Sequence, residues 1–568
     1  MERGGESVHA LVEEGRRHHF AGRFEEAKRC YREALERDPR NPDALGMAGA
    51  LALQLGDPNS ASRLLEKSLA LAPGDAGRWN DLGAARAMRH DRTTAEDAYR
   101  RAISLDPRQF DAHHNLGSLL LESGDADAAV GVLGRALALR PDDAGCQRTF
   151  AAALREAGDP WRAAAELAEL EAALGADPDF WGELAECRAM VGDHPGAEHA
   201  WRRLLALREG DRPALAGLAS ALAGRQRYTE ASAVLAEVLE RVPGDADLWL
   251  QRGNTELAAE DLKAAARAFE QALEIRPGHS GARLNLGIVR LKQGRSTEAD
   301  RHFAALEGSY HTPARLAYFR ALVKLEAGGV EDALAGFERS LAFDPLHVNS
   351  IWYRHHCLRE LGRDGEARAI MDPARDPACL EPLEGLPAAD REAFLGELTR
   401  FVTEYPHQWW EPAGKTTRGG HQTPSLPLAG EPVMRRFESL VREAVDAYLS
   451  RLPASHVIRA NWPGTYRLDV WGTLLRRGGH QKPHIHPGGM LSGVFYASLP
   501  KPDRPEAGWI EFGGAPYDTA TGYAPWTRRL EPRPGRLVIF PAYLPHSTVP
   551  FDSDHVRVSV AFDVSPPA

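Results

Sequence analysis

The sequence predicts a multidomain chain: an all-α N-terminal solenoid of repeated helix pairs, then a β-rich C-terminal domain, a sandwich or jelly-roll barrel, with helices leading into it. Three observations carry this. Alanine returns at 27, 61, 95, 129, 163, 197, 231, 265, 299, 333 and 367, eleven times at an unbroken spacing of 34 residues. Prolines at 373, 377, 382 and 387 then crowd one short stretch. Beyond Asn461 the helical periodicity gives way to short apolar runs separated by glycine and proline. At 568 residues the chain exceeds what one hydrophobic core organises.

Each repeat unit reads as two amphipathic helices. Five residues before the alanine lies glycine in eight of eleven phases, the exceptions being His90, Gln226 and Glu260. That is where a chain turns between helices. Seven residues earlier stands Gly or Ala in ten phases, broken only by His355, as expected where two helices cross closely. Prolines at 39, 73, 107, 141, 243, 277 and 345 stop the second helix. Positions 175, 209 and 311 lack that proline, so phases five, six and nine are expected to loosen. Such units bury their apolar faces only by stacking. The pattern resembles the tetratricopeptide repeat over residues 8–381, about eleven repeats. The resemblance implies a groove for a peptide or protein partner; a purely structural array is the alternative. Residues 372–387 read as a semi-rigid spacer.

Composition narrows the function classes. A net charge of −11 argues against a protein that coats nucleic acid, which needs a basic face. No apolar run approaches a bilayer span, and residues 1–6 lack the apolar core of a signal peptide, so no membrane role and a cytoplasmic location are expected. The five cysteines (Cys30, Cys146, Cys187, Cys357, Cys379) are scattered and odd in number, and most of them read as buried apolar residues rather than disulfides or a thiolate metal site. None follows residue 380, so a C-terminal metal must use imidazole, carboxylate or water.

In the C-terminal part, helices are expected over 390–405 and 433–452, and strands over 466–475, 491–499, 509–512, 536–540 and 556–564. His484 and His486 share the period of two that points both side chains to one face of a strand. His546, from a distant strand, could close one face of an octahedral metal. Arg557 and Ser559 share the same period, and a guanidinium with a hydroxyl suits a carboxylate.

The order His484-x-His486, Leu491-Ser492-Gly493-Val494-Phe495-Tyr496, Gly508-Trp509-Ile510-Glu511-Phe512, Pro534 to Pro541, His546, Arg557-x-Ser559 resembles the iron(II)- and 2-oxoglutarate-dependent oxygenases, over a core of 461–564 in a domain of 388–568. It is most similar to the branch carrying His-x-His-Pro that is often fused to tetratricopeptide repeats, and Gly419-Gly420-His421-Gln422-Thr423 also resembles that branch. The resemblance implies a double-stranded β-helix (jelly roll), with Fe(II), 2-oxoglutarate and O2 required. It implies His484 and His546 as metal ligands, and Arg557 with Ser559 on the distal carboxylate of 2-oxoglutarate. His486 stands where most relatives have aspartate or glutamate. It is either the third ligand or stays off the metal with water in its place. Tyr496 is a further donor to the oxoacid, unless a bulge near Gly488-Gly489 exchanges its facing with Phe495.

Together these features point to a hydroxylase acting on a peptide or protein recruited by the solenoid. Two alternatives stand beside it: a cupin-like metal protein that does not use 2-oxoglutarate, and a non-catalytic interaction scaffold whose oxygenase domain has decayed. His480, His421 and His555 read as rim or surface histidines, Glu511 as a solvated carboxylate, and Trp471 among others as a pocket wall.

Overall fold

The computed structural model describes residues 7–405, 408–411, 415–426, 428, 431–501, 504–516 and 521–567. The segment 1–6, judged above for a signal peptide, lies outside them. Contacts divide the chain into two compact units, Met1–Met190 and Val191–Ala568. No helix of the described residues is long and apolar enough to cross a membrane.

The first unit is a run of paired helices, beginning with Val8–Phe20 and Phe24–Arg37, then Pro42–Gln54 and Pro58–Leu71. Aspartates cap many of them: Asp57, Asp75, Asp125 and Asp143 each accept a backbone N–H of the first turn, satisfying donors the helix cannot. The small-residue positions are close approaches. A Cβ on Gly15, Gly49, Gly83 or Gly117 would fall within 2.4–2.7 Å of Tyr31, Leu65, Tyr99 or Leu133, always sixteen residues on in the partner helix. The eight turn glycines have φ between 69° and 83°, and the exceptions adopt the same left-handed backbone, His90 at 59°, Gln226 at 61° and Glu260 at 62°. The turn geometry is thus imposed by the stacking, and these three residues absorb its strain.

Helix pairs continue through the second unit from His194–Leu207 to Val348–Glu360 and the short Asp364–Ile370. Of the three phases expected to loosen, the fifth and ninth do. Their second helices stop after nine residues, at Pro160–Ala168 and Ser296–Ala304. The sixth does not: His194–Leu207 keeps 14 residues, with Asp193 capping it.

Among the described residues ten strands follow: β1 (Ala378–Leu380), β2 (Trp409–Trp410), β3 (Thr417–Ser425), β4 (Arg467–Gln481), β5 (Leu491–Ser498), β6 (Ile510–Phe512), β7 (Arg528–Leu530), β8 (Leu537–Pro541), β9 (His546–Thr548) and β10 (Arg557–Ser565). They form two antiparallel sheets, ordered β1-β8-β5-β10-β4-β3-β2 and β7-β6-β9. Strand β1 lies inside the stretch read as a spacer. It pairs with β8 (Ala378↔Ile539), and buried Asp376 beside it takes a backbone N–H from Asp372 while its own carbonyl accepts the Tyr448 hydroxyl. The segment read as a semi-rigid spacer therefore contributes an edge strand to the sheet.

Helices Ala388–Thr403 and Pro432–Arg451 cover one face of the large sheet, where Phe394 and Phe437 meet Phe495 edge-on at 6.2 and 5.8 Å. The approach is close: a Cβ on Gly472 of β4 would lie 2.3 Å from Val402. The opposite face, with β6 and β9, encloses a cavity.

The last helix pair ends differently from the others. His355 occupies its small-residue position, and the aromatic ring that meets it belongs to the loop before β7: Trp526, edge-on at 5.9 Å. Arg359 stacks 3.7 Å above Trp526 and donates to the Ala524 carbonyl, Arg368 covers Trp526 at 4.1 Å, and His356 Nδ1 lies 3.1 Å from the Tyr523 hydroxyl. The loop takes the place of a next repeat and covers the solenoid end, as stacked repeats require.

Two predictions follow from this packing. Gly at position 90, 226 or 260 relieves the left-handed strain, so His90→Gly, Gln226→Gly and Glu260→Gly each raise stability by about 1 kcal/mol in urea unfolding. Burial, with Arg359 and His356 close by, lowers the His355 pKa to about 4. The unfolded chain protonates this group near pH 6.5 and the folded chain only near 4, so stability is full above 6.5 and falls between these values. The loss is about 3 kcal/mol at most. His355→Leu should flatten the pH dependence of the urea midpoint in that window relative to wild type.

Candidate metal centre

The β4–β5 connection and the start of β9 bring the histidines together; His484 and His486 lie in that connection rather than on one strand as the spacing predicted, because β4 ends at Gln481. His484 and His546 form an isolated antiparallel bridge, exchanging backbone hydrogen bonds at 3.0 Å each way, so the β4–β5 connection is fastened to β9. The His486 backbone N–H is held by the Ala542 carbonyl. One ring nitrogen from each of His484, His486 and His546 lies within 4.8 Å of the others.

The other ring nitrogen of each is anchored. His484 Nδ1 faces the Lys482 carbonyl at 2.7 Å, His546 Nδ1 faces the Leu544 carbonyl at 3.2 Å, and His486 Nδ1 faces the Asp563 carboxylate at 2.8 and 2.9 Å. Acceptors on all three Nδ1 atoms put the protons there and leave each Nε2 a lone pair. His486 Nε2 and His546 Nε2 stand 3.3 Å apart. Two nitrogens each about 2.1 Å from one ion at right angles would be separated by about 3 Å. Burial pushes the His484 pKa down to about 3 and that of His546 well below its ordinary value, so these imidazoles are neutral and able to ligate at neutral pH. Donor type, convergence and protonation all fit a divalent metal ion. Among the described residues, one other group has metal-like spacing, Glu14, His18 and Cys30 in the first helix pair.

Strand β10 alternates. Val558, Val560, Phe562 and Val564 are buried in the hydrophobic core, while Arg557, Ser559 and Ala561 line the cavity beside the histidines. Register sets Ser559 opposite Thr473 of β4 and Tyr496 of β5. The facing of Tyr496 is thereby decided: it lines the cavity and Phe495 packs into the helices, the register irregularity of β10 falling between Val558 and Ser559. Arg557 is 3% exposed, its Nε has no partner, and no carboxylate of the described residues pairs with it. The buried Tyr496 hydroxyl and Thr473 Oγ1 are also unpartnered. Arg557 and Tyr496 are close enough to influence each other, the guanidinium carbon lying 5.2 Å from the ring centre. Burial lifts the Tyr496 pKa to about 12 and lowers that of Arg557. An unpaired buried guanidinium is costly unless something brings it an anion.

The remaining histidines stand apart from this cluster. His480 turns to the Gly478 carbonyl, His421 packs edge-on against Trp410 at 5.0 Å, and His555 is exposed. Glu511 pairs with Arg529, which leaves it no ligand role. Trp471 lines the cavity and stacks on His486 at 5.9 Å. Two residues of the site escaped the reading of the sequence, Thr473 in the cavity wall and Asp563 behind His486. Thr473 has no local signature, but Asp563 continues the period of two through Arg557, Ser559 and Ala561, and following that period to the end of the strand would have found it.

Residues 469–563 match the family described as "Putative 2OG-Fe(II) oxygenase", and residues 21–85, 87–151, 256–323 and 191–246 match tetratricopeptide-repeat families. No curated protein matches the chain. Among solved structures it is similar to MamA, at 28% identity over 27% of this chain and 89% of that one, with a TM-score of 0.26. It is similar to Naa15/Naa10 bound to HypK-THB, at 16% identity over 72% and 69%, with a TM-score of 0.33. It is also similar to PilF of Pseudomonas aeruginosa, at 20% identity over 36% and 94%, with a TM-score of 0.33. The chain thus joins tetratricopeptide repeats to a C-terminal domain of the 2OG-Fe(II) oxygenase type.

Proposed function

We propose that the C-terminal domain is an iron(II)- and 2-oxoglutarate-dependent dioxygenase, a hydroxylase, acting on a peptide or protein recruited by the repeats. The observation that carries this is the pairing of two unmet needs in one cavity: three imidazoles aimed at a common point, and a buried guanidinium without an anion. A keto-diacid meets the second need and a ferrous ion the first. The division into a recruiting solenoid, 8–381, and an oxygenase domain, 388–568, belongs to this reading, as does a cytoplasmic site of action.

In this reading His484, His486 and His546 hold the metal through Nε2, with the third imidazole replacing the more usual carboxylate. Arg557 binds the distal carboxylate of 2-oxoglutarate, with hydroxyls from Ser559 and Tyr496 beside it. Ile510 and Phe540 close the cavity against water. When bound, iron(II) couples oxidative decarboxylation of 2-oxoglutarate by O2, giving succinate and CO2, to hydroxylation of a substrate C–H bond. A cupin-like metal protein without 2-oxoglutarate is the second reading, favoured by the three-imidazole set.

The test is direct. Under anaerobic conditions iron(II) with 2-oxoglutarate should give a visible absorption band, and admitting oxygen should produce succinate. A wild-type protein showing neither is no such dioxygenase. His484→Ala and His546→Ala should each abolish both signals. Arg557→Ala should raise the 2-oxoglutarate requirement about 100-fold, because about 3 kcal/mol of charge-assisted hydrogen bonding is lost. A metal-dependent activity indifferent to Arg557→Ala would favour the cupin-like reading instead.

A further inference from the structure

The three histidines are anchored unequally. His484 and His546 lean on neutral backbone carbonyls, whereas His486, the one standing where a carboxylate is usual, leans on a carboxylate. Asp563 is committed to that contact. Its side chain is 19% exposed, its oxygens face His486 Nδ1 and the Ser492 hydroxyl, and no lysine or arginine of the described residues pairs with it. It stands across β10 from Asp469, whose carboxylate is taken by Arg467. On the other side the Gly489 turn comes close, with space for a Cβ 3.6 Å from the Asp563 carboxyl carbon.

We infer that Asp563 is a positioning residue that returns to the metal, one hydrogen bond removed, the negative charge that His486 took away by replacing an acidic ligand. The inference rests on the proposed metal site. A carboxylate accepting from Nδ1–H fixes the ring, holds the proton away from Nε2 and raises the electron density of the ligating nitrogen. The two uses of strand β10 then match: at one end a guanidinium binds the anionic cosubstrate, and at the other a carboxylate supports a ligand. Three imidazoles plus Asp563 carry the same formal charge as two imidazoles plus one carboxylate. The first set puts that charge outside the coordination shell, on the far side of the His486 ring.

The experiment is metal affinity, read without turnover. The metal-free full-length protein is titrated with Co(II), followed by its visible bands, for wild type, Asp563→Asn, Asp563→Ala and Asp563→Glu. The Asn and Ala variants are repeated in the His486→Ala background. Asn preserves the hydrogen bond and removes the charge, so a loss of about 10-fold is expected; Ala removes both and should cost about 100-fold, with Glu recovering part of it. In the His486→Ala background both substitutions should change affinity by less than about twofold, because their route to the metal is gone. Wild-type affinity in both variants overturns the inference, and so does an equal loss in the two backgrounds, which would mean Asp563 acts through the fold. Should Asp563→Ala not fold, the Asn and Glu variants carry the same comparison. A wild-type protein that binds no Co(II) overturns the metal site itself, and this inference with it; binding that is indifferent to Asp563 removes the inference alone.

Discussion

The register of β10 between β4 and β5 is the constraint on which the C-terminal domain depends. Its alternation sends four apolar side chains into the core and sends Arg557, Ser559, Ala561 and Asp563 the other way. A slip of one residue would exchange the two sets, placing a guanidinium and a carboxylate in hydrocarbon and valines in the polar cavity. The energetic gap is large: burying Phe562 and its three valine neighbours gains several kcal/mol, and burying the ions unpaired would cost more. Hydrophobic packing against the two covering helices thus fixes the position of polar groups it never touches. The site geometry is a by-product of core packing, which is how His486 and His546, 60 apart in sequence, meet at 3.3 Å.

Electrostatics then decides what the cavity accepts. Neutral imidazoles at low dielectric attract a cation through lone pairs, and the adjacent Arg557 repels one unless an anion comes too. Under the proposed function, metal and dianion would be complementary occupants, each lowering the cost of the other at low dielectric. The unpartnered Tyr496 and Thr473 hydroxyls fit the same logic, since a buried polar atom without a partner is a standing cost that a polar ligand removes.

Much of this was legible in the sequence, for physical reasons. A 34-residue period survives because every unit repeats the same close crossing, so Gly15 against Tyr31 and Gly49 against Leu65 obey one rule. The long strands and both covering helices announced themselves by periodicity. What was hidden is what periodicity does not encode. Strands β1, β2, β7 and β9 have two or three residues each, too few for a pattern, and β3 contains two glycines and a proline. A proline-rich segment reads as a spacer because its edge pairing is long-range. The sixth phase looked weak for want of a terminal proline, yet the Asp193 cap and a buried face hold its second helix to full length. The facing of Tyr496 was legible up to the chance of a bulge near Gly488-Gly489: the β5–β10 register runs regularly from Leu491 through Tyr496, and its irregularity lies beyond.

The two plainest departures from pattern, His355 in the solenoid and His486 in the β domain, share a logic. Each puts an imidazole where its neighbours' rule requires something else, and each is answered by a residue distant in sequence: Trp526 meets His355, and Asp563 meets His486. In a locally consistent sequence such violations persist only where other interactions compensate them. At His355 the compensation comes from a loop of the β domain, so the end of the solenoid is completed by the domain that follows rather than by another repeat. That loop leads into β7, which pairs with β6, which pairs with His546 on β9. Side-chain contacts from the solenoid's last helix pair hold that loop, and backbone pairing continues from β7 through β6 to a candidate metal ligand.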